Sequence, residues 1–279
     1  MMKFSLNTPA KINWILSVVG KRDDGYHNIV SPMQCVSLFD SLTFEEADEI
    51  ELVSDFAVPV GQNLVYRAAV LLRNYSSFQR GARITLVKDI PVGAGLGGGS
   101  SDAACTLKGL NKLWGLNLSR EDLRMLGSEI GSDVPFFIGG PFSLVEGRGE
   151  KVTALKTVTP ADMLLVKPDM PVSTAWAYSS YERELTKKDV DIKLFCQTLD
   201  KKDFTSLRDI VFNDLERAVM SRYQAIGDIK KMLSENGAVI SLMSGSGSAV
   251  FGVFDSADNA RKASLHMGKN WCRVVRTIV

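Results

Sequence analysis

The chain is poor in the residues that build metal sites and covalent staples. Its two histidines, His27 and His266, leave little for an imidazole-based metal centre. Its four cysteines, Cys35, Cys105, Cys196 and Cys272, are scattered and form no C-x-x-C pair. That argues against a zinc cage or redox dithiol, and four are too few for a disulfide framework in 279 residues. Free thiols in a reducing cytoplasm are expected. An excess of one charge is also missing: 33 basic against 32 acidic side chains leave a net +1, which excludes non-specific nucleic-acid binding as the main activity. No apolar run approaches the roughly 18 residues of a membrane span. The opening stretch, Met1 to Asn7, lacks the apolar core of a signal peptide.

What is present is ordinary for a soluble globular protein: 45% hydrophobic and 23% charged residues. The length suggests two domains or one large one. β-Branched and aromatic content predicts strands at 11–19, 34–44, 49–53 and 82–90, the last closed by Pro91. Leu64, Ala68, Leu71 and Leu72 lie at helical spacing within 63–75, with Asn63 as the N-cap. A helix is expected over about 101–114, stopped by Gly115, and another after a capping box formed by Ser119 and Asp122. A loop, GSDVPFF, follows, then strands near 142–145 and 151–154.

Turn formers at 156–162 mark a crossing between an N-terminal lobe, 1–158, and a C-terminal lobe, 159–279. Beyond it, strands are predicted at 163–168, 239–243, 249–254 and 272–278. Helices are predicted at 173–181, 191–199, 215–222, 224–235 and 256–269. Strands and helices do not alternate strictly, so the fold class is α+β.

The strongest local feature runs from Pro91 to Ala104, with five glycines in the seven positions 93–99. Such a backbone adopts positive φ and approaches a ligand closely. A helix begins directly after it, and the free N–H groups and positive dipole end of a helix bind anions. Five glycines exceed what a simple chain reversal requires. A P-loop would need Gly-Lys-Ser/Thr here, and no lysine follows the glycines. The G-x-G-x-x-G match at 93–98 sits too far along the chain for a dinucleotide fold, and the region 20 residues on is helical in pattern. Protein-kinase H-R-D and D-F-G motifs are absent.

Four segments, in order, resemble the GHMP kinases. They are Pro9-Ala10-Lys11-Ile12-Asn13-Trp14, with Arg22-Asp23-Asp24-Gly25-Tyr26-His27 after it; the glycine stretch through Ala104; Gly131-Ser132-Asp133-Val134-Pro135-Phe136-Phe137; and Met243 to Phe251 around Ser244-Gly245-Ser246-Gly247-Ser248. The resemblance runs nearly end to end. It implies a two-lobed fold with the active site in a cleft between the lobes. The P-A-K-I-N and R-x-D-G-Y-H segments point to the branch that phosphorylates a hydroxyl on the methylerythritol part of a cytidine diphosphate conjugate, in the non-mevalonate route to isoprenoid precursors. A GHMP kinase for a sugar, mevalonate or homoserine, and a non-catalytic GHMP-fold metabolite binder, are the alternatives.

The resemblance further implies Lys11 and Asp133 as the catalytic pair: Asp133 accepts the hydroxyl proton and Lys11 stabilises developing charge. Pro91, Gly93, Gly95, Leu96, Gly97, Gly98, Gly99, Ser100 and Ser101 match the ATP-phosphate loop. Asn13, Tyr26, His27, Tyr178, Ser246 and Gly247 match the substrate side, with the base between aromatics and His27 at its polar edge. The second aromatic is Tyr178 or, less well spaced, Trp176. Asn213-Asp214-Leu215 resembles a helix start near the cleft. ATP and Mg²⁺ are implied, with no protein ligand assigned to the metal. The implied partners are a small-molecule substrate and ATP, with no nucleic acid and no membrane, acting as a monomer or homodimer.

Overall fold

The computed structural model describes residues 2–55, 58–157, 159–181 and 190–279. Residue 158, the expected lobe boundary, lies outside them. In chain order the first part holds β1 (Lys3–Asn13), β2 (Ser17–Lys21), β3 (His27–Ala47), β4 (Ile50–Ser54), α1 (Leu64–Ser76), β5 (Gly81–Val87), α2 (Gly98–Leu113), α3 (Arg120–Ile130), α4 (Val134–Gly139), β6 (Phe142–Gly147) and β7 (Lys151–Ala154). The second part holds β8 (Asp162–Lys167), α5 (Thr174–Ser179), α6 (Ile192–Asp200), α7 (Phe204–Ile210), α8 (Glu216–Arg222), α9 (Gln224–Glu235), β9 (Ile240–Met243), β10 (Val250–Phe254), α10 (Ala257–Ser264) and β11 (Trp271–Arg276).

A seven-stranded sheet is organised around β3. It runs β4-β5-β3-β6-β7, with β1 and β2 also paired to β3. Only β4 and β5 are parallel. The register sets Lys11 opposite Cys35 and Asn13 opposite Met33. A bulge between Pro9 and Ala10 absorbs the proline, which has no N–H for the ladder. The four-stranded sheet, β11-β8-β10-β9, is antiparallel throughout.

Three buried clusters hold these layers. The first joins α1–α4 to the large sheet through residues such as Phe44, Leu72, Leu107 and Phe136. The second lies between the sheets, where Trp14 meets Phe251 edge-on at 5.9 Å and Phe195 at 6.1 Å. The third packs α8, α9 and α10 on the small sheet. The middle cluster seats β1 against both sheets and thereby fixes Lys11 relative to the second half of the chain.

The mixed α+β class holds. The predicted caps form: Asn63 accepts from Val65 N–H, and the Ser119–Asp122 box closes in both directions. Gly115 takes φ +63° just past α2. Some boundaries differ. β1 starts at Lys3 and ends at Asn13, so the strand expected over 11–19 is two strands broken at Trp14–Leu16. β3 runs from His27 to Ala47, well beyond 34–44. The expected GSDVPFF loop is half helix, because Pro135 fits the first turn of α4. α2 starts at Gly98 rather than Ser101, and α7 was not anticipated.

Candidate active site

A cleft of about 900 Å³ lies where β1, the glycine stretch, α4, α5 and the 244–248 turn converge. Lys11 reaches it from near the end of β1, with its side chain only 4% exposed. Its ammonium donates to Asn13 Oδ1 at 2.7 Å and lies 3.4 Å from Asp133 Oδ2. Asn13 in turn donates to Ser31 Oγ at 2.8 Å, and Ser31 donates to the Ile15 carbonyl at 2.6 Å. This relay fixes which way the Asn13 amide oxygen points. Asp133 precedes α4 at the capping position, but its side chain makes no cap hydrogen bond and faces Lys11 instead.

The glycine stretch lines the cleft largely with backbone. Gly97 caps α2 at φ +72°, and the first residues of the helix, Gly98, Gly99 and Ser100, line the cleft, where a helix N-terminus has N–H groups without intrahelical partners. Gly95, at φ +74°, has no room for a side chain: a Cβ there would lie 2.1 Å from the Ser244 carbonyl oxygen. That oxygen belongs to the second glycine turn, which docks onto the first. Ser244 Oγ donates to Gly95 O at 3.0 Å and Ala249 N–H donates to Ala94 O at 3.0 Å. Asn213 supports the second turn from below, donating to the Met243 and Gly245 carbonyls at 2.8 Å each. Ser246 Oγ shares a hydrogen bond with Thr174 Oγ1 at 2.8 Å.

At the rim, His27 and Tyr178 stack directly, with centroids 5.3 Å apart and planes at 26°. Burial and the nearby Lys21 charge push the imidazole below its ordinary value, and burial with the Asp133 charge pushes the Tyr178 phenol up. Both groups are therefore neutral near pH 7. Tyr26 is 51% exposed and carries the Arg148 guanidinium over its ring at 5.5 Å. Trp176 does not line the cleft; it packs edge-on against Tyr223 under Arg222.

The structure thus brings Lys11, Asn13, Tyr26, His27, Asp133, Tyr178, Ser246, Gly247, Pro91 and the loop from Gly93 to Ser100 to one cleft. Ser101 is the exception. It is buried on the opposite face of α2 and lines another cavity.

Sequence reasoning missed a second charged group beside the glycine stretch. Lys88 donates to Asp40 Oδ2 and, at 2.7 Å, to Asp102 Oδ2. Asp40 Oδ1 accepts the N–H groups of Asp89 and Ile90 at 2.7 and 2.8 Å, and Thr8 donates to Asp102 Oδ1 at 2.7 Å. Burial alone would lower the Lys88 ammonium, but the two carboxylates outweigh it and push it up. Burial pushes Asp102 up to about 6 despite its lysine partner. The only sequence signal was an aspartate in the first turns of a helix otherwise rich in small, apolar residues.

Comparison with known proteins places the chain in a family. Residues 63–141 match the GHMP kinases N terminal domain, and residues 192–272 match the GHMP kinases C terminal domain. A protein from Thermodesulfovibrio yellowstonii, described as 4-diphosphocytidyl-2-C-methyl-D-erythritol kinase, is 47% identical over 97% of this chain and 96% of its own length. One of the same description from Caldanaerobacter subterraneus subsp. tengcongensis is 42% identical over 94% of this chain and 92% of its own. A crystal structure of 4-(cytidine 5'-diphospho)-2C-methyl-D-erythritol kinase superposes with a TM-score of 0.84 at 33% identity, covering 98% of this chain and 99% of that one.

Proposed function

The chain belongs to the 4-diphosphocytidyl-2-C-methyl-D-erythritol kinases, a branch of the GHMP kinases, and we propose that Lys11 and Asp133 carry out that family's phosphoryl transfer in the cleft. It is an ATP-dependent phosphotransferase of the isoprenoid precursor pathway. The observation that carries the reading is the Lys11–Asp133 pair, 3.4 Å apart in the cleft that the first residues of α2 also line.

In this mechanism a hydroxyl of the methylerythritol unit attacks the γ-phosphorus of ATP. The new O–P bond forms as the bond to the β-phosphate oxygen breaks, and ADP leaves. Asp133 Oδ2 takes the hydroxyl proton. The Lys11 ammonium, held by Asn13, offsets the negative charge that develops on the reacting oxygens. The backbone N–H groups of the glycine loop and of α2 orient the triphosphate and neutralise it without a global basic excess.

The described residues contain no group of three or more His, Cys, Asp or Glu side chains able to hold a metal by themselves. The donor set suits Mg²⁺ brought in on the triphosphate, since this ion keeps waters and phosphate oxygens and needs only one or two protein groups. Asp133 and Ser100 are the residues that would face it. Bound there, it would screen the phosphate charge.

At the other end of the cleft the cytosine stacks on the aromatic rim of Tyr26 and Tyr178. His27 lies flat on Tyr178, so a base entering that slot takes the place of the imidazole, which turns to meet its polar edge. Residues 1–158 act as the ATP lobe, and residues 159–279 close the substrate side with Tyr178, Ser246 and Gly247. The enzyme works in the cytoplasm as a monomer or homodimer. Its four cysteines form no disulfide, which suits a reducing compartment.

The deciding assay is ADP release with Mg-ATP and the cytidylylated methylerythritol, with mevalonate and homoserine as control acceptors. Turnover with a control and none with the cytidylylated acceptor overturns the substrate assignment.

A further inference from the structure

Behind the glycine stretch, on the opposite face of α2, lies a second cavity of about 450 Å³. Five elements contribute to its wall: β1 through Thr8 and Pro9, α2 through Ser101 and Lys108, α4 through Phe137 and Ile138, α3 through Arg120 and Leu123, and β3 through Cys35. The first three carry or adjoin Lys11, the glycine stretch and Asp133, so the cavity shares walls with the cleft.

Its chemistry is two-sided. Leu123, Phe137, Ile138 and Ile278 supply apolar surface, together with the Cys35 and Cys105 thiols, which burial pushes up to about 12 and keeps neutral. Two cations, Lys108 and Arg120, also line it, and no Asp or Glu does. Arg120 has no ion-pair partner among the described residues, and the one hydrogen bond of Lys108 goes to the Phe137 carbonyl at 3.1 Å. The residue that points to a ligand is Ser101. It is 2% exposed, it lines the cavity, and its hydroxyl has no hydrogen-bond partner. Buried hydroxyls are normally paired, so an unpaired one against a roomy, cationic cavity is a donor awaiting an acceptor.

We propose that this cavity is a second ligand site, separate from the cleft, for a compact amphipathic monophosphate. The phosphate head meets Lys108, Arg120 and the Ser101 hydroxyl, and an alkyl body lies on Leu123, Phe137 and Ile138. Phosphate suits this donor set because it offers several strong acceptors to a fork-shaped guanidinium, an ammonium and a hydroxyl at once. The volume is within the range of small-molecule pockets. An occupant bears on β1, α2 and α4 together and so changes the turnover of the kinase.

The test is calorimetric titration of the full chain with hexyl phosphate in the presence of saturating Mg-ATP, which keeps the probe out of the cleft. Hexyl phosphate binds saturably, and more tightly than either inorganic phosphate or hexanol. The double variant Lys108→Gln, Arg120→Gln changes two exposed side chains and melts like the wild type. It binds hexyl phosphate about tenfold more weakly or worse. At saturating ATP and acceptor, hexyl phosphate shifts kcat of the wild type and leaves that of the variant alone. No saturable binding, equal binding by the double variant, or inorganic phosphate binding as tightly as hexyl phosphate overturns the proposal. An unchanged kcat in the wild type removes its regulatory half.

Discussion

Lys11 and Lys88 both line the cleft, and both meet carboxylates, yet they are finished differently. Lys88 is enclosed between two aspartates whose side chains are 0% and 3% exposed, and their remaining oxygens are taken by Thr8 and by the Asp89 and Ile90 N–H groups. Lys11 is as deeply set, but its partner Asp133 is left 34% exposed and faces open space. A charge network with every acceptor used is a brace: it ties β3, the end of β5 and the start of α2 into one piece. A pair with one open carboxylate can take a proton from something that is not protein. Burial of charge is therefore common to both sites; the open acceptor is what sets the Lys11 pair apart.

Four experiments can break this contrast. Asp133→Asn keeps the shape and removes the proposed base. It should lower kcat by about 10³–10⁴-fold, equivalent to about 4–5.5 kcal/mol, with little change in melting temperature. Loss confined to tenfold would move the base elsewhere. Lys88→Met strips the brace of its cation and leaves two buried carboxylates facing each other. Denaturant unfolding should show a loss of about 3–5 kcal/mol, and a loss under 1 kcal/mol would mean that the network holds nothing together.

The third experiment uses pH. Asp102 in the folded chain keeps its proton up to about 6, whereas the unfolded chain loses it near 4. The folded state thus binds more protons in that window, and the stability contributed by this group falls as pH rises through it, then stays level. Measured as the difference between wild type and Asp102→Asn, the fall should be about 1–3 kcal/mol. A difference that is flat from pH 4 to 6 would refute the assignment. The smallest effect belongs to the rim. Tyr178→Ala should raise KM for the cytidylylated acceptor about tenfold, near 1.4 kcal/mol, and leave KM for ATP unchanged. Equal changes in both would place Tyr178 outside the substrate end.

The open pair was legible in the sequence and the closed network was not, for a physical reason. Lys11 and Asp133 are ordinary residues taken singly, but they sit, like the glycine stretch, in the short segments that carry the resemblance to the GHMP kinases. Asp102 lies in the glycine segment but drew no role there, and Asp40 and Lys88 stand outside every segment of the resemblance; the sheet register and the start of α2 bring the three together. The same limit applies to the fold. Capping residues act within four positions, so Asn63 and the Ser119–Asp122 box were readable and formed as expected. The first eight of the eleven residues of β1, KFSLNTPA, have weak strand character, with Pro9 among them, and form a strand because β3 runs beside them over their whole length. Ser101 fell to the far side of α2 because the helix begins three residues earlier than the pattern suggested.

The docking of the two glycine turns has a consequence for inheritance. Gly95 leaves no space before the Ser244 carbonyl, and a Cβ on Gly245 would lie 3.2 Å from the Gly95 carbonyl oxygen and 3.3 Å from the Lys11 ammonium. The floor of the cleft is a weld between stretches of chain about 150 residues apart. Neither half can be exchanged for that of a distant cousin without disturbing the other, so the two turns drift together or not at all. New acceptor specificity has to be found at the aromatic rim, where side chains can change without touching the seam.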